Sequence, residues 1–181
     1  MDPSEMQSKQ FDLLFGVVRS VRYHSHRRAH YERLHKITNV AAIVTAGYAF
    51  LAVSSVPLPI WTSVMGMASA LLAAFDLVVG YSRMADCHRD LSRRFSALEQ
   101  QIGDSDLADT DLRCFNRERL EIEKDEPPIY RALDVLCDAE TCRSFGCSTE
   151  NRLGLTWFEN ITANWCRWTS IAFKKLPQAA L

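Results

Sequence analysis

From Ile37 to Phe75 the chain carries no Asp, Glu, Lys or Arg, an uncharged run of 39 residues between flanks dense in charge. Wholly helical, such a run is about 58 Å long, nearly twice the ~30 Å hydrocarbon core of a bilayer, so a single straight span does not accommodate it. Pro57, Leu58 and Pro59 stand near its middle. Prolines lack the N–H that a helix interior uses and push the preceding residue out of the helical region, so this tripeptide marks a turn. The expected fold class is an all-α membrane protein built on a two-helix transmembrane hairpin, with spans at about 37–56 and 60–82 and the turn at 57–59. A buried hairpin inside a soluble domain is the alternative, and it would normally carry polar residues on one face of each helix. This run offers only Thr38, Asn39, Thr45, Tyr48, Ser54, Ser55, Ser63 and Ser69, which can all bond backbone or a neighbouring helix within a bilayer.

Charge beside the spans sets their orientation. Arg19, Arg22, Arg27, Arg28, Arg33 and Lys36 precede the first, Arg83, Arg89, Arg93 and Arg94 follow the second, and the turn carries none. Positive residues stay on the cytosolic side, which places both termini there, and Trp61 beside the turn suits the opposite interface. Residues 1–11 are polar, so no secretory leader is expected and insertion falls to the spans themselves. A net charge of −1 excludes a globally basic nucleic-acid binder. All six cysteines lie in the cytosolic parts, where reduced thiols are expected. Cys137, Cys142 and Cys147 repeat at five-residue spacing without the close pairs of a structural zinc site.

Four segments follow from this layout. In residues 1–36, Phe11, Leu14, Phe15, Val18 and Val21 recur at helical spacing and predict a cytosolic stem helix running into the first span. The hairpin occupies 37–82. In 83–103, Met84, Cys87, Leu91, Phe95, Leu98 and Ile102 step by three and four, the seam of a second stem helix that packs on the first. Residues 104–181 form a helical tail: an acidic stretch from Asp104 to Glu126, a stop at Pro127-Pro128, a helix from Ile129 to about Ser144, and a loop bracketed by Gly146 and Gly154. Phe158, Ile161, Trp165, Trp168 and Ala172 then share one face of a terminal amphipathic helix that either packs on the stems, the favoured reading, or lies on the inner leaflet. Glu159 and Arg167 argue against a third span.

Asp76 is the one formal charge between Ile37 and Ser82, roughly 10 Å inside the cytosolic end of the second span. Intramembrane acids are functional candidates, and a ring of them from several protomers favours cations. The alternative is a structural bond to Thr38, Asn39 or Tyr48, or hydration at the interface. Asp76, Ser69 and Thr45 are the candidate pore-lining residues. Gly66, Ala70 and Ala74 on one helix and Ala42, Ala46 and Ala49 on the other form small-residue strips that permit close contact within a hairpin or between protomers. Arg27, Arg28, His30, Arg83 and His88 flank the spans as candidates for headgroup contact or gating. His26 and His30 are one turn apart, a spacing that can hold a metal, but the surrounding arginines oppose a cation and packing or headgroup contact is preferred. His88-Arg89-Asp90 lacks the other parts of a kinase, and no hydrolase elbow, phosphate loop or dinucleotide fingerprint occurs. No catalytic residue, metal or cofactor is therefore expected, and an enzyme is not.

Several of these residues carry a family likeness. Arg22-Tyr23-His24 and the run Arg27 to Tyr31 precede the close hairpin, and Ala85, His88, Leu91, Arg94-Phe95 and Leu98 follow it. Farther on stand Arg119 with Glu121, Glu126-Pro127-Pro128, and Leu153-Gly154-Leu155-Thr156-Trp157-Phe158. In this order and layout the chain resembles the SLATT family, two-transmembrane effector domains associated with SMODS and SLOG nucleotide-signalling proteins in prokaryotic conflict systems. The likeness covers most of the chain, although the cysteine series and the terminal tryptophans depart from it. It implies a homo-oligomeric, pore-forming effector in the bacterial inner membrane. On an infection or nucleotide signal, with a sensor protein encoded nearby as a partner, it would depolarise the cell as abortive, antiviral defence. A membrane anchor that recruits a cytosolic partner through its acidic tail is the alternative.

Overall fold

A computed structural model describes residues 3–53, 60–103, 109–147 and 155–166. Among them every regular element is an α-helix: α1 Pro3–Val53, α2 Ile60–Val79, α3 Tyr81–Gly103, α4 Asp109–Glu123, α5 Arg131–Ser144 and α6 Trp157–Thr162. The turn at 57–59 lies outside the described residues. α1 begins at a proline, whose fixed φ and missing N–H suit a first turn, and Glu5 in that turn complements the helix dipole. The chain divides into two compact units, Met1–Arg27 with His88–Leu181, and Arg28–Cys87.

The first unit is a helical bundle. Leu91, Phe95, Leu98 and Ile102 of α3 are buried, as their spacing predicts, together with Leu112 and Ile122 of α4 and Ala132, Leu133 and Cys137 of α5. The stem part of α1 departs from its expected stripe. Leu13, Val17 and Val18 are its buried aliphatics, whereas Phe11 is exposed. The reason is that α1 is packed on several sides. Ser25 bonds Ser92 of α3 at 3.1 Å, Arg22 donates to Ser144 of α5 at 2.9 Å, and the rings of Phe11 and Phe15 lie 5.5 and 5.9 Å from that of Phe145. Toward α4 the approach is close enough that a Cβ on Gly16 would stand 3.2 Å from Arg119 Nη1.

The second unit is an antiparallel helix pair. Ser69 Oγ of α2 donates to the carbonyl of Ala42 in α1 at 3.0 Å, His35 meets Asp76 at 3.1 Å, and the rings of Tyr31 and Tyr81 lie 6.4 Å apart. The apolar side chains of this pair point outward: Ile37, Val40, Ile43, Val44 and Phe50 on α1, and Met67, Leu71, Phe75, Leu77 and Val78 on α2, the last two above 80% exposed. Among the described residues one helical stretch, Ser63–Gly103, which takes in most of α2 and all of α3 across Gly80, is long and apolar enough to cross a membrane by length and composition. Its most apolar 18-residue window has mean hydropathy 1.8, and none of that window is buried.

Two expectations need correction. The second helix of the pair was expected to run to Ser82, but α2 ends at Val79 because Gly80 has φ 65°, left-handed backbone that glycine alone adopts without strain. The ladder still closes around it, Gly80 N–H donating to Asp76 O at 2.8 Å and Met84 N–H to Gly80 O at 3.0 Å. The terminal amphipathic helix is also different. α6 has only 6 residues, started by a capping box in which Thr156 and Glu159 satisfy each other's backbone. Phe158, Ile161 and Trp165 are exposed, and the unit instead buries Glu159 and Ala163 from this segment, so the described part of the expected face is not packed on the stems. Trp168 and Ala172 lie outside the described residues.

Candidate functional site

The bundle holds a polar cluster at its centre. α1 supplies Tyr23, His24 and Arg27, and α3 supplies His88 and Phe95. Glu126 comes from the segment after α4, where Pro127-Pro128 prevents the helix from continuing. His24, His88 and Arg27 are only 1%, 1% and 2% exposed. The Nδ1 atoms of His24 and His88 lie 2.9 Å apart, and His24 Nε2 lies 3.1 Å from Glu126 Oε1. A carboxylate only accepts, so His24 Nε2–H donates to Glu126, and a single hydrogen joins the two imidazoles. The His24 ring stacks on Phe95 at 5.6 Å. Burial, then the neighbouring His24 and Arg27, lower His88 from the usual 6.5 to about 3, so this imidazole is neutral at physiological pH.

Arg27 ties the same cluster to the end of the described chain. Its Nη1 donates to the carbonyl of Asn164 at 2.7 Å, and its guanidinium stands 3.9 Å above the ring of Tyr130. Tyr130 N–H donates to Tyr23 Oη at 2.9 Å, and burial raises the Tyr23 phenol to about 12. Such a cluster fixes how α1, α3 and the later segments pack. His24, His88 and Arg27 are sealed from solvent, whereas Tyr23 and Glu126 line an open hollow of about 400 Å³ with Arg19, Ser20, Glu123, Ile129 and Asp134.

The helix pair has a polar chain of its own. Asn39 Nδ2 donates to His35 Nε2 at 3.1 Å, and His35 Nδ1 donates to the Asp76 carboxylate at 3.1 and 3.4 Å. The partner of Asp76 is thus His35, not Thr38, Asn39 or Tyr48. Ser69 is used in the bond to Ala42, and Thr45 Oγ1 turns back on its own helix to the carbonyls of Ala41 and Ala42 at 2.8 and 3.1 Å. Gly66 and Ala42 are half-buried, while Ala46, Ala70 and Ala74 are exposed. Side-chain placement of Ala49 lies outside the description.

Of the candidates for headgroup contact or gating, Arg27 and His88 are sealed inside the bundle, which removes headgroup contact for these two. Arg28 pairs with Glu32 at 2.8 Å, and the ring of His30 stands 5.8 Å from that of Tyr31. Arg83 lines an open hollow of about 400 Å³ with Asp76, Leu77, Gly80, Ser82 and Asp86.

A grouping that sequence reading missed lies between α1 and α5. His26 Nε2 stands 3.1 Å from Glu140 Oε2, and the Cys137 thiol joins them, the three ligand atoms lying within 4.8 Å of one another. Cys137 is wholly buried, and burial with the charges of Glu140 and Asp134 raises its thiol to about 12, so without a metal ion beside it the sulfur stays protonated. The helical i, i+3 spacing of Cys137 and Glu140 was the legible half of the signal. The other half, His26, comes from more than a hundred residues away. Comparison of the chain with models of protein families, with curated proteins and with solved structures finds no match in any of the three.

Proposed function

We propose that the chain is a membrane effector of a prokaryotic conflict system. In this reading residues 37–82 form a two-span hairpin in the bacterial inner membrane with both termini cytosolic. Several copies assemble a pore, and an infection or nucleotide signal received by the helical bundle opens it and depolarises the cell. The observation that carries the reading is the surface of the helix pair. Its large apolar side chains face outward while its polar atoms, Asp76, His35, Asn39 and Ser69, bond between or along the two helices. Soluble monomers rarely expose a contiguous apolar face of that extent. A hairpin of two helices is too thin to enclose a channel, so conduction needs several protomers, and the exposed Ala46, Ala70 and Ala74 give helices of neighbouring copies room to approach. The resemblance to SLATT domains supports the effector role.

The test is ion flux from potassium-loaded liposomes reconstituted with the full chain. Wild type is expected to release potassium as the chain-to-lipid ratio rises, and Asp76→Asn to reduce that flux several-fold by removing the carboxylate ring. Vesicles that stay ion-tight at every ratio would remove the pore. A second reading, an anchor that recruits a partner, draws on the exposed Trp157, Phe158, Ile161 and Trp165 near the end of the bundle unit. Deleting residues 104–181 separates the two readings, since a constitutively toxic remainder supports a gated pore and a harmless one supports the anchor.

A further inference from the structure

We propose that His26, Cys137 and Glu140 form a binding site for a zinc-type divalent cation that clamps α5 to α1. The three donors, imidazole nitrogen, thiolate sulfur and carboxylate oxygen, are the set from which zinc sites are built, and three protein ligands with one open position is the pattern of sites that keep a water. The geometry is close to closed. Around a tetrahedral zinc with bonds of about 2.0–2.3 Å, ligand atoms stand about 3.3–3.7 Å apart. His26 Nε2 and Glu140 Oε2 are already 3.1 Å apart, and the full set lies within 4.8 Å, so closure needs a shift of at most about 1.5 Å in any pair.

The surroundings suit such an ion. Cys137 is wholly buried, which provides a dry wall, whereas the side chain of His26 is 41% exposed and leaves an entry path and a place for a water ligand. Cys137 and Glu140 stand one turn apart on α5, so a single face presents both, and α1 brings His26 to them. Cys137 carries no disulfide. Binding exchanges the thiol S–H bond for a metal–sulfur bond and releases that proton to solvent, with no change of oxidation state. The His26–Glu140 pair then becomes two ligands of one ion.

Cobalt titration of tag-free, chelator-stripped full-length protein in detergent micelles tests this directly. Wild type is expected to bind one equivalent of Co²⁺ with a thiolate-to-cobalt charge-transfer band and the intense visible bands of tetrahedral coordination. Cys137→Ser should abolish the charge-transfer band, His26→Ala and Glu140→Gln should each weaken binding by about 100-fold, and Cys142→Ser, a change at another buried thiol of α5, should leave both band and affinity unaltered. Helix content by circular dichroism identifies any variant that fails to fold. Should Cys137→Ser do so, the half-exposed His26→Ala decides. A wild type without the band, a band that survives Cys137→Ser, or an affinity indifferent to His26→Ala would overturn the site and leave a plain ion pair beside a core thiol.

Discussion

His88 stands with its Nδ1 2.9 Å from that of His24 at the centre of the bundle, and its lowered pKa of about 3 makes stability depend on pH. In the unfolded chain the imidazole takes up a proton below about pH 6.5, and in the fold it does not until about pH 3. The fold therefore has its full stability above about 6.5 and loses roughly 1 kcal/mol per pH unit across the window below it. Denaturation midpoints measured from pH 7.5 to 4.5 should fall along this slope, and His88→Gln should flatten it; an unchanged slope would mean that other groups set it. Arg27→Ala should cost about 2–3 kcal/mol in the same assay by removing the bond to Asn164 and the contact with Tyr130, and Arg27→Lys should recover only part, because an ammonium cannot both stack and donate sideways. The sequence marked Arg27 and His88 as candidates for headgroup contact or gating, and headgroup contact is the part that burial removes. Their partners explain the error: Glu126, Tyr130 and Asn164 lie some hundred residues along the chain, and no local pattern announces such pairings.

At the scale of elements, periodicity carried the most information where a helix has one buried face. α3 has such a face, and its Leu91, Phe95, Leu98 and Ile102 were legible in advance. Phe95→Ala should destabilise the bundle by about 3–5 kcal/mol, since the ring is fully buried and also supports His24. The stem of α1 meets α3, α4 and α5, so its contacts go round the helix and a single stripe does not describe it. At the end of α2 an isolated glycine in an apolar stretch carried no visible instruction to stop. Gly80→Ala should raise the energy of that junction by about 1–2 kcal/mol through its left-handed backbone, since the nearest atom to the added Cβ is 3.8 Å away. Faster amide exchange at Tyr81 to Met84 would register it, and unchanged exchange would show that the junction relaxes. The short α6 was hidden for a similar reason: the capping box fixed where it begins, but the apolar spacing beyond Thr162 read as continuous helix.

At the scale of the whole molecule, the division into an outward-apolar helix pair and a separate helical unit built from the charged flanks was the part most open to sequence reading, because a run of 39 uncharged residues separates two charged regions. The His26–Cys137–Glu140 grouping was the least open, because it exists only once α5 lies on α1. The proposed pore requires the helix pair to be a two-span hairpin, and reporter fusions in bacterial cells test that most directly. Alkaline phosphatase, active only outside the cytoplasm, should be active when fused after Leu58, and a fluorescent protein, which matures only inside, should fluoresce at either terminus. Inactive phosphatase at Leu58, with the chain recovered in the soluble fraction, would contradict the membrane hairpin and the pore built on it.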